Sequence, residues 1–352
     1  MLKPLQIGEK IAKLPIIQGG MGVGISRCKL AGAVAKEGGV GIISTAQIGY
    51  DEEGFEQDQA GANLKAIAKH IKKAKEIAQG NGLVGVNVMV ALKHYKEHVE
   101  AAVAAGADVV ICGAGLPIDL PAQVPAGPTK LAPIVSSRRA AELLLKKWDH
   151  QFQRTADFIV IEGPLAGGHL GFHLDQLQDL EHYNFDHEIQ EIIAAKVPYE
   201  AKYQKSIPVI VAGGVFDHED IEHMISLGAD GVQIASRFVA TEECDACESY
   251  KQAYINATSD QIQIVKSPVG MPGRALRNEF IKHLEQAKEP ITKCYNCIKS
   301  CNPAEVPYCI TKALVNAVEG DLDHGLIFCG ANVDRINSMS TVHALMQELA
   351  QA

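Results

Sequence analysis

No stretch of this chain keeps about 18 apolar residues together, the minimum for a membrane-spanning helix. Its first residues, Met1 to Lys10, hold no apolar segment of the kind a secretory leader needs. Both absences lead us to expect a soluble, cytoplasmic protein with no membrane partner. Positive charge is in deficit: 33 Lys and Arg stand against 42 Asp and Glu, a net charge of −9. With no basic stripe either, nucleic acid is not expected as a partner. There is no internal repeat and no low-complexity tract. No Gly-x-Gly-x-x-Gly follows the first apolar run, so the fingerprint of an open dinucleotide-binding sheet is missing. What is present is a large apolar fraction, 47% of 352 residues, which suits one large α/β barrel or two ordinary domains.

Apolar runs of strand length recur through residues 1–240. They are Leu14–Gln18, Gly39–Ser44, Leu83–Met89, Val109–Cys112, Lys130–Val135, Phe158–Ile161, Ile207–Ala212 and Gly231–Ala235. They are continuous rather than alternating, the pattern of parallel strands covered on both faces. Helical spacing appears between them, at 30–36, 60–79, 95–105, 138–147 and 217–227, often closed by glycine. Eight such units predict a (β/α)8 TIM barrel over residues 1–240. Two regions depart from the repeat. Residues 173–206 read as an insertion after the sixth strand, with a helix around 187–202. Residues 241–352 read as a helical, Cys-rich extension packing on the barrel, with helices near 278–287, near 310–318 and at the C-terminal end.

Barrel chemistry sits at the C-terminal ends of the strands, so the residues that follow each run carry the functional signal. The sixth run leads into Glu162-Gly-Pro-Leu-Ala-Gly-Gly168-His169-Leu-Gly171. Glycines around one imidazole suit backbone held against a flat ligand beside a single titratable group; a solvated Gly-rich loop has the same composition. The seventh run ends in Ala212-Gly213-Gly214 and the eighth in Gln233-Ile-Ala235-Ser236-Arg237. Glycines there free backbone N–H groups for an anion, the usual phosphate position in such barrels, although a tight turn would also use them.

Gln18-Gly-Gly20-Met21, Gly85-Val-Asn87, Ala166-Gly-Gly-His-Leu-Gly171, Val211-Ala-Gly-Gly214 and Gln233-Ile-Ala-Ser-Arg-Phe238 occur in this order. Together they resemble the nitronate monooxygenase (2-nitropropane dioxygenase) family, which includes flavin-dependent enoyl-acyl-carrier-protein reductases and some quinone reductases. The resemblance covers about residues 12–280. It implies non-covalent FMN, with its phosphate on Gly213, Gly214, Ala235 and Ser236. Gly20 and Met21 would line the ring, Asn87 would hydrogen-bond near it, Gly168 and Gln233 would also bind the cofactor, and His169 would be the catalytic group. Ala235 stands where relatives often carry glycine. Cys112 and Gly113 would fall under the ring by position alone, and Cys112 reads as a small core residue. The implied activity is oxidation of alkyl nitronates with O2. The alternative within the same fold is NAD(P)H-dependent reduction of an enoyl thioester or a quinone. In either case the partner is a small-molecule substrate, with no oligomeric state selected.

Seven of the nine cysteines crowd the last third of the chain. Cys294, Cys297, Cys301 and Cys309 form C-x2-C-x3-C-x7-C, a spacing that suits an iron–sulfur cluster or zinc; reduced cysteines packed in a helical tail would leave the same pattern. The tail also raises a reading of another class, a non-catalytic flavin- or metal-bearing subunit that docks a partner. Cys244-Asp-Ala-Cys247 is a weaker pair. Lys130 is expected at the barrel bottom and Asp217–Asp220 as the acidic first turn of a helix; Arg274 and Arg277 read as solvent-facing positions, with contact to an anionic substrate as the alternative.

Overall fold

A computed structural model describes residues 2–351. The eight expected strands form a closed parallel barrel, at Ile16–Gln18, Val40–Ser44, Leu83–Met89, Val109–Gly113, Lys130–Val135, Ile159–Glu162, Val209–Ala212 and Gly231–Ile234. Closure is set by Val232 opposite Ile16 and by Ile210 opposite both Val160 and Gly231. Each strand is buried on two faces. Ile17, Ile42, Ile111, Val160 and Ile210 fill the interior, while Ile43, Val110, Ile161 and Val211 meet the helices. This double burial is why the runs are apolar without alternation. An antiparallel hairpin, Leu5–Ile7 with Lys10–Ala12, joins the interior cluster and closes the bottom. Its Lys10 pairs with Asp108 at 2.8 Å, and Glu9 pairs with Lys130 at 2.7 Å, so Lys130 lies at the bottom as expected.

The helices follow the strands in order, from Cys28–Lys36, Gln59–Ala78 and Tyr95–Ala104 to Arg138–Phe152 and His218–Ser226. Caps fix their starts. Asp58 accepts from Gly61 N, Ser137 from Ala140 N, and Asp217 from Asp220 N. Between the sixth and seventh strands stands Phe185–Tyr203, packed along Arg138–Phe152, in the place of the repeat's sixth helix. The irregular part of that connection is therefore the stretch 163–184, which carries His169.

Beyond the barrel lie the expected helices, at Glu279–Leu284, Ile310–Glu319 and Val342–Ala350. They are joined by a feature the sequence reading lacked. Ile262–Lys266 and Pro272–Leu276 form an antiparallel ribbon, and Gly168–His169 pairs with its second strand to make a three-stranded sheet. The β-branched run Ile262-Gln-Ile-Val265 favours the strand, and Gly270, at φ +87°, makes the turn. The tail thus reaches back over the mouth of the barrel.

Candidate active site

Gly20, Met21, Asn87, Gly168, His169, Gly213, Gly214, Gln233, Ala235 and Ser236 all line one cavity of about 240 Å³ at the C-terminal ends of the strands. Residues separated by more than 200 positions meet there because the barrel brings every strand end to one rim. The first loop packs closely on the third strand: a Cβ on Gly20 would stand 2.5 Å from Asn87 Cβ. Asn87 is steadied from behind, since its carbonyl accepts from Thr45 N at 3.1 Å and Thr45 Oγ1 at 3.3 Å. Gly213 and Gly214 have φ of +91° and +94°, a conformation that favours glycine. Gln233 lies against Gly19, and its buried Oε1 has no hydrogen-bond partner among the described residues. An orphaned buried acceptor on a cavity wall is costly unless a ligand supplies a donor.

His169 is held by three contacts from the tail. Its backbone pairs with Gly273, its Nε2 lies 2.7 Å from Ser267 Oγ, and its ring meets Phe328 edge-on with centroids 4.9 Å apart. Ser267 is itself fixed, because its Oγ accepts from Val269 N at 3.2 Å. Burial lowers the His169 pKa to about 4, so the imidazole is neutral near pH 7. Nδ1 has no hydrogen-bond partner among the described residues.

The second titratable group on the wall is Glu162, at the end of the sixth strand. Its Oε2 accepts from Ser136 Oγ at 3.0 Å and Gly171 N at 2.7 Å. Desolvation raises its pKa to about 7. The rim near the seventh and eighth strands is completed by 330–332. Gly330 N donates to Ser236 Oγ at 3.0 Å, and Asn332 Nδ2 to Gly214 O at 2.7 Å. Ser267, Phe328 and the 330–332 segment were absent from the sequence reading. They lie about 100 residues or more from the motifs they serve, and no local pattern marks them.

Several expectations need correction. The metal centre expected at Cys294, Cys297, Cys301 and Cys309 finds no support: among the described residues no group of three or more His, Cys, Asp or Glu side chains is placed to hold an ion. Cys294 is exposed and Cys297 half-buried. The chain around Cys297 is tied instead to the loop after the third strand, where Lys93 N donates to Cys297 O at 2.9 Å and Leu92 bridges Ile298. The iron–sulfur expectation therefore gains no support from the fold. Arg274 is not solvent-facing; it is buried and donates to Ala166 O, bracing the loop before His169. Arg277 is at the surface, paired with Glu285. Cys112 is fully buried, as a core residue should be, and Cys244 is buried against Ile25 O. No described helix is long and apolar enough to cross a membrane.

Over residues 5–352 the chain matches the nitronate monooxygenase family. It belongs to that family, one of oxidoreductases. A probable nitronate monooxygenase of Bacillus subtilis is 25% identical over 358 residues, covering 96% of this chain and 95% of that protein. A 5-hydroxy-7a-methyl-1-oxo-octahydro-1H-indene-4-carboxyl-CoA dehydrogenase of Mycobacterium tuberculosis is 25% identical over 271 residues. That alignment spans 77% of this chain and 65% of the dehydrogenase's length. Among solved structures, FabK from Thermotoga maritima has a TM-score of 0.72 at 24% identity, covering 96% of this chain and 92% of that one. A nitroalkane oxidase from Streptomyces ansochromogenes has a TM-score of 0.71 at 19% identity, covering 96% and 95%. At these identities the two structures establish a shared fold.

Proposed function

We propose that this protein is an FMN-dependent oxidoreductase that oxidises alkyl nitronates with O2. One observation carries the reading: a neutral, half-buried His169 is clamped by Ser267 and Phe328 on a cavity that Gln233, with its orphaned Oε1, also lines. That acceptor suits a ring N–H, and glycine at position 20 lets the first loop lie close on Asn87 at the cavity wall. Gly213, Gly214, Ala235 and Ser236 would hold the phosphate, with Gly20, Met21, Asn87, Gly168 and Gln233 around the ring. The cofactor supplies the electron-transfer and oxygen chemistry.

The protein's own part is position and proton control. With Nε2 engaged by Ser267, Nδ1 is the atom that would take the α-proton of a neutral nitroalkane. A preformed nitronate instead brings a negative charge beside the ring, raising the imidazole pKa and favouring an imidazolium partner. A second reading is NAD(P)H-dependent reduction of an enoyl thioester or quinone; the likeness to a carboxyl-CoA dehydrogenase favours a thioester as the substrate of such a reaction.

The purified protein should bind FMN and consume oxygen with an alkyl nitronate in the absence of nicotinamide. Rapid NADH oxidation with an enoyl thioester or quinone, and no nitronate turnover, would establish the second reading instead. His169→Ala should keep FMN and lose about 10²- to 10⁴-fold in turnover.

A further inference from the structure

A second cavity of about 230 Å³ adjoins the main one, at the ends of the fourth to sixth strands. It lies on the side of the rim away from Gly213, Gly214 and Ser236. Ala114, Ile134 and Glu162 belong to both walls, so these three residues form the threshold between two adjacent spaces. Beyond that threshold the chamber is bounded by Leu116, Val135, Ala140 and Met271. Its polar groups are already satisfied by one another. Ser136 Oγ donates to Glu162, Ser137 Oγ accepts from Ala140 N, and Glu162 also accepts from Gly171 N. Among the described residues no Lys, Arg or His lines the chamber, so nothing described there would repay the desolvation of a carboxylate or phosphate.

We propose that this chamber is a substrate subsite, taking an uncharged apolar carbon chain attached to the group that reacts beside His169. The proposal rests on the reading that the main cavity holds the cofactor and the reacting group. A chain entering past Glu162 would exchange water for Leu116, Ile134, Val135 and Met271, gaining with each methylene buried. Very short substrates would leave the chamber to water and bind weakly.

The test uses the full-length protein and two independent measurements. FMN binding, followed by flavin fluorescence quenching, reports on the main cavity. Calorimetric titration of the FMN-loaded protein with primary alcohols, ethanol to 1-octanol, reports on the chamber. Affinity should rise by about fourfold per methylene until the chamber is full, then level off. Ala140→Leu, on a wall remote from the main cavity, should end the rise at a shorter chain while FMN affinity holds. Met271→Ala should move the plateau to longer chains. Affinity independent of chain length, or a rise unchanged in both variants, overturns the proposal. Should FMN fail to bind while the chain-length series and its response to Ala140→Leu persist in the unloaded protein, the flavin reading falls and the chamber stands.

Discussion

At the scale of single residues, the site depends on Ser267 more than its distance in sequence suggests. Its hydroxyl is the only side-chain hydrogen-bond partner of His169 among the described residues, so it sets which way the ring faces. Ser267→Ala should leave FMN affinity unchanged and lower kcat/KM by about tenfold or more, with Ser267→Thr restoring part of the loss. A merely structural role would lower thermal stability without this split between binding and turnover. His70 is the opposite case, a buried imidazole with no function in view. Both ring nitrogens are buried without partners on the inner face of Gln59–Ala78, and burial lowers its pKa to about 4. His70→Leu replaces two unsatisfied polar atoms with a side chain of similar volume. It should raise stability by about 1–2 kcal/mol at neutral pH in urea unfolding.

At the scale of elements, the ribbon Ile262–Lys266 and Pro272–Leu276 turns a barrel with a loop into a barrel with a placed imidazole. Gly273 faces both His169 and Phe328: a Cβ there would stand 2.8 Å from Phe328 Cε1 and 3.3 Å from Gly168 O. Gly273→Val should therefore push Phe328 off the His169 ring. We expect kcat/KM to fall by about 10²-fold, since a displacement near 1 Å is enough for such a loss, while circular dichroism keeps the barrel signature. The elements also show where legibility in the sequence ended. Leu83–Met89 and Lys130–Val135 match the expected strands residue for residue, because double burial writes itself as an unbroken apolar run. The glycine loops could be placed because they follow those runs directly. The pairing of Gly168–His169 with Pro272–Leu276 left no such trace: a two-residue strand has no period, and its partner lies about 100 positions on. The cysteine spacing is less legible for a related reason. Spacing along the chain does not fix where thiols point, and the fold ties the backbone at Cys297 to the loop at Lys93.

At the scale of the whole molecule, the buried titratable groups bend stability in opposite directions across the neutral range. His70, His98 and His169 have pKa values lowered to about 4, with burial the leading cause for each. The unfolded chain takes up protons near pH 6.5 and the folded one only near 4, so stability is lost as pH falls through that window. Glu162 acts on the other side. Its carboxyl titrates near 4.5 when exposed and at about 7 in the fold, so between those values the folded state holds a proton that the unfolded chain has released. Stability contributed by the neutral acid is complete below 4.5, declines as pH rises, and is gone above about 7. Glu162→Gln keeps an acceptor for Ser136 Oγ and Gly171 N and never ionises. The variant should match the wild type at pH 4, gain on it steadily from pH 4.5 to 7, and hold a constant advantage above that. Parallel urea curves at several pH values give the difference directly. An advantage that is the same at pH 4 and pH 8 would mean that Glu162 contributes through packing, and that its carboxyl carries no excess proton at the threshold between the two cavities.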